Sequence, residues 1–239
     1  MVSFFKKSED KLQNIEFRFY EIYRSEEFLL LLLKGMFVSL WLTIGAAIFG
    51  FVFANLLAVS RLNKIPIFVI LSESFVEFTR NTPLIVQLFF IAFGLPLLLG
   101  YQWPFWSHAL LALSLNFSAY FAEILRAGFE DVHKGQIEAA KSLGLPKMLI
   151  FVKIIFPQAL CMVYPALNSQ FIFLFLTTGI ISEIGVKELT QAGVYIDSRT
   201  FRSFEVFFTL TILYILLSLM LKTALKFIYN RIFFWAEFR

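Results

Sequence analysis

The sequence predicts an all-α protein, a polytopic bundle of helices that crosses a membrane about five times. Of its 239 residues, 59% are hydrophobic and 16% are charged, and the mean hydropathy is +0.77. A soluble domain carries fewer apolar and more charged residues. Charged residues are also absent from runs long enough to cross the ~30 Å hydrocarbon layer as a helix. These two observations predict the fold class.

Each predicted span comes from a run without Asp, Glu, Lys or Arg. Residues 35–60 form the first run, which is long enough to cross once. Residues 81–122 are long enough to cross twice, and breakers that include Pro104 divide them near the middle. The remaining runs are 154–182 and 206–221. The predicted spans are residues 33–60, 80–100, 104–127, 154–182 and 204–228.

Polar segments complete the predicted organisation around a membrane domain at 28–230. Residues 1–27 mix charges of both signs and lack a secretory signal, so we expect them to lie along the membrane surface. A basic loop occupies 128–153, and a short tail occupies 231–239. Basic residues are enriched after the first, third and fifth spans. This bias predicts an external N-terminus and a cytoplasmic C-terminus.

The composition argues against several other functions. A net charge of +4 is explained by basic residues at cytoplasmic span ends, so no nucleic acid partner is expected. Cys161 is the single cysteine, and His108 and His133 are the only histidines. The sequence therefore predicts no metal site, no cofactor and no catalytic residues. It also contains no glycine-rich phosphate loop of the Walker type.

The loop 128–153 has an organised centre. Residues 136–143 favour a short helix, which Gly144 and Pro146 should end. Ala139 and Ala140 give this helix a flank with almost no side chain, which permits another surface to approach closely. From periodicity alone, an amphipathic connector resting on the bilayer explains the same residues.

The order of residues in this loop resembles a known signature. Glu138, Ala139 and Ala140, followed by Gly144 and by Pro157 after Ile-Phe, resemble the EAA signature of permease subunits of ATP-binding-cassette (ABC) importers. Other segments are similar to the polar amino acid uptake family, whose members carry histidine, arginine, glutamine and related solutes. These segments are residues 76–96, 118–128, 135–145, 156–160, 181–189 and 201–207. The resemblance covers roughly residues 30 to 230 in the family's order.

The resemblance implies a type I ABC importer permease in a bacterial cytoplasmic (inner) membrane. The implied partners are a dimer of cytoplasmic ATPase subunits, a second permease that is identical or related, an external amino-acid-binding protein and the lipid bilayer. The ATPase subunits would hydrolyse ATP and drive alternating access, so this chain is not expected to be an enzyme. Glu138, Ala139, Ala140, Gly144 and Pro157 are the implied ATPase-coupling residues. A secondary transporter or channel for small polar solutes is the alternative, but neither class accounts for the EAA loop.

One segment departs from the family pattern at the outer end of the fourth span. The family commonly has Lys-Asp-Thr-Ser-Leu where this chain has Leu-Thr-Thr-Gly-Ile at 176–180. Two charges are therefore lost at a place where the substrate path is expected to run.

Polar side chains inside the predicted spans are the remaining candidates, because each is costly in lipid and usually faces protein. Hydrogen bonds between spans explain them as well as a polar route for a zwitterion does. The candidate path residues are Asn116, Ser118, Tyr120, Asn168, Gln170, Thr177 and Thr178. Two i,i+3 pairs, Glu77 with Arg80 and Glu123 with Arg126, have the spacing of structural ion pairs.

Overall fold

The computed structural model describes residues 17–62 and 66–234, and these residues form helices joined by short connections. Residues 1–16 of the predicted surface segment and 235–239 of the predicted tail lie outside the described residues. A single helical turn at Tyr20–Tyr23 precedes the longer helices. These are α1 Glu26–Leu62, α2 Pro66–Arg80, α3 Leu84–Leu99, α4 Phe105–Asp131, α5 Lys134–Ser142, α6 Lys147–Ile184, α7 Leu189–Thr200 and α8 Ser203–Ile232.

Four helices, α1, α4, α6 and α8, are each long and apolar enough to cross a membrane, and α2 with α3 can form a fifth, broken span. The α2 and α3 axes differ by 106°. About five spans were predicted, and the structure agrees with that number. It differs in detail, because the second predicted span began at residue 80, whereas the chain is already helical from Pro66. Glu73 and Glu77 interrupt the apolar run of α2 and hid this helix from a search for charge-free segments.

The helix α4 lies at the centre of the bundle and is the most deeply buried of the candidate spans. Its core side chains include Phe117 and Phe121, both fully buried. Small residues on α1 allow the two helices to approach closely: a Cβ added at Gly50 would lie 3.0 Å from the carbonyl oxygen of Ser114. Close packing at small residues is the usual way in which helices associate within lipid.

A second cluster holds α7 between the N-terminal halves of α1 and α8. A Cβ added at Gly35 of α1 would lie 2.8 Å from the Cα of Leu189, so these two backbones are in direct contact. The turn before α1 packs on the start of α8, where the Tyr23 hydroxyl and Thr209 Oγ1 are 2.8 Å apart. The N-terminal ends of α1 and α8 therefore lie at the same face of the bundle as α7.

The helix α6 is irregular at both ends. It contains a π-helical turn at Phe151–Ile155 and finishes in a 3-10 segment at Thr178–Ile184. The π-helical turn ends two residues before Pro157, which has no N–H to offer a helical carbonyl and whose ring would clash with the carbonyl four residues earlier. A wider turn relieves that clash. The sequence predicted a missing backbone donor at Pro157, and the wide turn is how the chain accommodates it.

Candidate functional site

A network of charges surrounds Glu123 near the C-terminal end of α4. Its carboxylate contacts three guanidinium groups: Arg61 of α1 in the closest contact, Arg126 at 3.1 Å and Arg80 of α2 at 3.9 Å. Arg61 is also fixed by α2, because its Nε and Nη2 donate to the hydroxyl and carbonyl oxygens of Ser72 at 2.9 Å each. The network therefore joins α1, α2 and α4.

The predicted pair Glu123–Arg126 is present, but Glu77 and Arg80 do not pair with each other. Arg80 instead lies 5.5 Å from the centre of the Tyr120 ring, beside Glu123. Within residues 17–62 and 66–234, Glu77 forms no ion pair, and it faces a cavity. The i,i+3 spacing permitted the pairing, but α4 offers Arg80 both a carboxylate and an aromatic face.

Two of the cavities beside this network share Arg80, Asn81 and Tyr120 as a common wall. We call the first, of about 520 Å³, the charged cavity. It is lined by Arg61, Glu73, Val76, Glu77, Arg80, Asn81, Tyr120, Glu123 and Arg126. We call the second, of about 630 Å³, the polar cavity. It is lined by residues 80–84, Asn116, Phe117, Tyr120, Phe173, Leu176, Thr177 and Ile180. Volumes of this size suit small-molecule ligands.

The polar cavity is built on the break between α2 and α3. The Gln87 amide spans this break, since its Nε2 donates to the carbonyl oxygens of Thr79 at 2.8 Å and Thr82 at 3.1 Å. Asn116 of α4 donates in turn to Gln87 Oε1 at 3.0 Å. Gln87 was not among the predicted site residues, although a glutamine within an apolar run is itself a signal of an interior role.

Of the seven predicted path residues, the structure brings Asn116, Tyr120 and Thr177 together at the polar cavity. Ser118 lies two residues from Asn116, roughly 200° around the helix, and its hydroxyl bonds the Leu115 carbonyl instead. Thr178 is buried and bonds the carbonyl of Phe175. Asn168 and Gln170 do not line either cavity.

The short helix α5 confirms the predicted helix within the loop, although it begins at Lys134 rather than at residue 136. Its inner face holds the buried Ala140 and the half-buried Gln136 and Ile137, whereas Glu138 and Ala139 are exposed. The two alanines, predicted as one docking flank, therefore lie on different faces. Ala140 is only 3% exposed and seats the helix against the core.

The C-terminal end of α5 is a Schellman motif at the predicted glycine. Gly144 has φ +74°, its N–H donates to the Lys141 carbonyl at 2.9 Å, and the N–H of Leu145 donates to the Ala140 carbonyl at 3.2 Å. A left-handed residue at this position is usually glycine, since it lacks the Cβ that would cause strain. Gly144 and Pro146 end the helix as predicted.

Residues 46–234 match the family model described as "Binding-protein-dependent transport system inner membrane component". The chain belongs to this family. It is therefore a membrane-embedded permease component, and the family's description places it in an inner membrane.

Individual relatives support the same assignment. One relative is a putative glutamine transport system permease protein, GlnP, of Rickettsia bellii. The two sequences are 35% identical over 176 residues, which cover 74% of this chain and 81% of the relative. The permease is 32% identical over 191 residues, 80% and 87% of the two chains, to the arginine transport system permease protein ArtQ of Bacillus subtilis. A solved amino acid ABC transporter, crystallised with histidines, superposes with a TM-score of 0.80 at 32% identity, covering 91% of this chain and all of that chain. The fold is thus that of ABC importer permeases.

The permease also contains a buried acidic residue that the sequence analysis did not select. Glu188 precedes α7, outside the candidate spans, and is fully buried. Its carboxylate accepts from Gln191 N at 2.7 Å, from the Tyr214 hydroxyl at 3.1 Å and from the Ser39 hydroxyl at 3.3 Å. Burial raises the pKa of Glu188 to about 7, although these hydrogen bonds act in the opposite direction. Glu188 therefore joins α7 to both α1 and α8.

Proposed function

We propose that this permease imports a polar amino acid, and that the solute passes through the polar cavity. The observation that carries this proposal is the meeting of Arg80, Asn116 and Tyr120 beside the broken span, near the middle of α4. An arginine suits a solute carboxylate, and an amide and a phenol supply further hydrogen-bonding groups. The names of the glutamine and arginine transport relatives support the class of solute.

The surface that receives the ATPase is assigned to the outer face of α5. Glu138 and Ala139 are exposed there, and the left-handed Gly144 gives the chain a sharp exit from the helix. Ala140 and Pro157 support this surface from within, by seating α5 and by shaping the start of α6. The partner ATPase subunits supply the energy, since members of this family are the inner membrane component of the transport system.

A second permease, identical or related, is assigned to the open face of α6. This helix is the least buried of the candidate spans, yet it carries polar side chains at Asn168, Ser169 and Gln170. Polar groups in such a position favour a protein neighbour over lipid.

The basic loops and the relative placement of the helices support one orientation in the membrane. With five spans, α5 lies at the face opposite to α7 and to the start of α1. The basic segment that contains α5 belongs in the cytoplasm. The N-terminal end of α1 and the helix α7 then face outwards, where a soluble amino-acid-binding protein delivers the solute.

The test is uptake of labelled amino acids into proteoliposomes that contain this permease, its ATPase and its binding protein, with ATP supplied on the ATPase side. We expect ATP-dependent uptake that is lost in Gly144→Val, because a branched side chain strains the left-handed turn. Gly100→Val, which places the same strain on another left-handed glycine at the end of α3, away from α5, is the matched control and should retain uptake. Uptake that persists without ATP or without the ATPase would replace this proposal with a secondary transporter or channel.

A further inference from the structure

A hydrogen bond between two glutamine side chains connects α5 directly to α6. Gln158 Nε2 donates to Gln136 Oε1 at 2.7 Å and also to the carbonyl oxygen of Ile154 at 3.0 Å. Because the carbonyl of Ile154 can only accept, the Gln158 amide must present its N–H group there, and Gln136 must present its oxygen. Both side chains are half-buried. The bond therefore has a defined direction and is partly shielded from water.

The Gln158 end of this bond lies at the irregular start of α6. Ile154 belongs to the π-helical turn Phe151–Ile155, and Pro157 lies two residues after the end of that turn. Helices bend preferentially at π-helical turns and at prolines, since the regular ladder of hydrogen bonds is interrupted there. A force applied at Gln158 therefore acts on a part of α6 where the regular helix is interrupted.

The Gln136 end lies on the helix that is assigned to ATPase docking. Gln136 is on the inner face of α5, and the exposed Glu138 and Ala139 are on the outer face. The covalent route from α5 to α6 passes through the exposed Gly144, around which no atom lies within 4 Å of an added Cβ. Gly144 itself has no side chain through which α5 could push on α6. Ile137 and Ala140 also contact the core, but apolar contacts are non-directional and permit sliding.

We propose that Gln136 and Gln158 form a polar strut that transmits the movement of α5 to the irregular start of α6. The two glutamines act as positioning residues: they touch neither the solute nor ATP, and they fix the register between the docking helix and the span. The proposal rests on the ATP-driven function proposed above. It adds to that function a specific connection between the docking surface and the membrane.

The experiment measures uptake and ATP hydrolysis in the same proteoliposomes, with permease, ATPase and binding protein present, and takes their ratio. Gln136→Leu and Gln158→Leu each remove the strut while retaining side-chain volume. We expect the solute carried per ATP hydrolysed to fall by about fivefold in each, the change that follows from losing one partly buried hydrogen bond. Because the two residues share one bond, the double variant should be no worse than either single variant.

Two controls separate a strut from general damage. Gln136→Glu keeps an acceptor for Gln158 Nε2, in the first turn of α5 where a carboxylate is favoured, and should retain the wild-type ratio. Thr223→Ala removes an exposed hydroxyl of α8 that bonds to the carbonyl of Leu219 in its own helix, outside the docking surface, and should also leave the ratio unchanged. The strut would be overturned if the leucine variants kept the wild-type ratio, either because uptake and hydrolysis fell equally or because neither changed. Absence of ATP-dependent uptake in the wild type would instead refute the underlying function.

Discussion

Raising the pH from about 4.5 to about 8 should weaken the attachment of α7 to α1 and α8 through the ionisation of Glu188. This carboxyl is fully buried, its hydrogen-bonding partners include the Ser39 and Tyr214 hydroxyls, and no cation pairs with it among residues 17–62 and 66–234. Its folded pKa is about 7, against 4.5 for an ordinary glutamate. The folded state therefore favours the protonated form. The stabilisation is fully present below the unfolded pKa and is lost as the pH rises through 7.

The magnitude follows from the difference between the two pKa values. At 1.36 kcal/mol for each pH unit, the separation between about 4.5 and about 7 corresponds to about 3 kcal/mol of unfolding free energy. Glu188→Gln is the matched variant, since an amide oxygen still accepts from Gln191 N and its N–H group can donate to a hydroxyl oxygen. It does not titrate.

The assay is denaturant unfolding of both proteins in mixed micelles across this pH range, followed by circular dichroism. Subtracting the Glu188→Gln curve from the wild-type curve removes the contributions of all other titrating groups. The wild type should lose about 3 kcal/mol relative to the variant between about pH 4.5 and about pH 8. Parallel pH profiles for the two proteins would refute the reasoning, as would a wild type that gains stability relative to the variant as the pH rises.

Two substitutions, each with a matched control variant, test how α1 packs on its neighbours. Glu123→Gln should lower the unfolding free energy by about 3 kcal/mol, because it leaves the buried guanidinium of Arg61 without its carboxylate. Glu130→Gln removes an exposed partner of the same network and should cost no more than about 1 kcal/mol; equal costs in the same unfolding assay would contradict the role of burial. Gly35→Ala should destabilise by about 1–3 kcal/mol, since the added Cβ meets α7 backbone at 2.8 Å. Gly45→Ala meets only the tip of a side chain at 3.0 Å and should cost less, so the reverse order of melting temperatures would refute this account.

The spans were predictable because hydrocarbon imposes a strong constraint on sequence. Long charge-free runs indicated α1, α4, α6 and α8. In the structure, the ends of these helices continue for up to several residues into polar sequence. The helix α2 was not predicted, because two exposed glutamates interrupt it and its apolar surface is shared with α1 and α4. The helix α7 was missed for a related reason. It depends on contacts with α1 and α8 that no local pattern reveals.

The candidate site was predictable only where residues share one helical face. Asn116 and Tyr120 are four apart and do meet at the polar cavity, whereas Ser118 lies between them in sequence and points elsewhere. Pairings across helices were not predictable. The contact of Gln87 with Asn116, and the convergence of arginines from different helices on Glu123, depend on packing rather than on spacing.

The helix interruption at residues 81–83 changes the environment that a solute meets inside the bilayer. It lies beside Asn116 and Tyr120, about halfway along α4. Free peptide groups are tolerated at such a depth only where protein encloses them or where water reaches them. Gln87 satisfies two of the carbonyl groups, and the backbone of the interruption lines the polar cavity. On the proposed route, a solute in the polar cavity meets polar side chains and backbone groups at this depth instead of hydrocarbon.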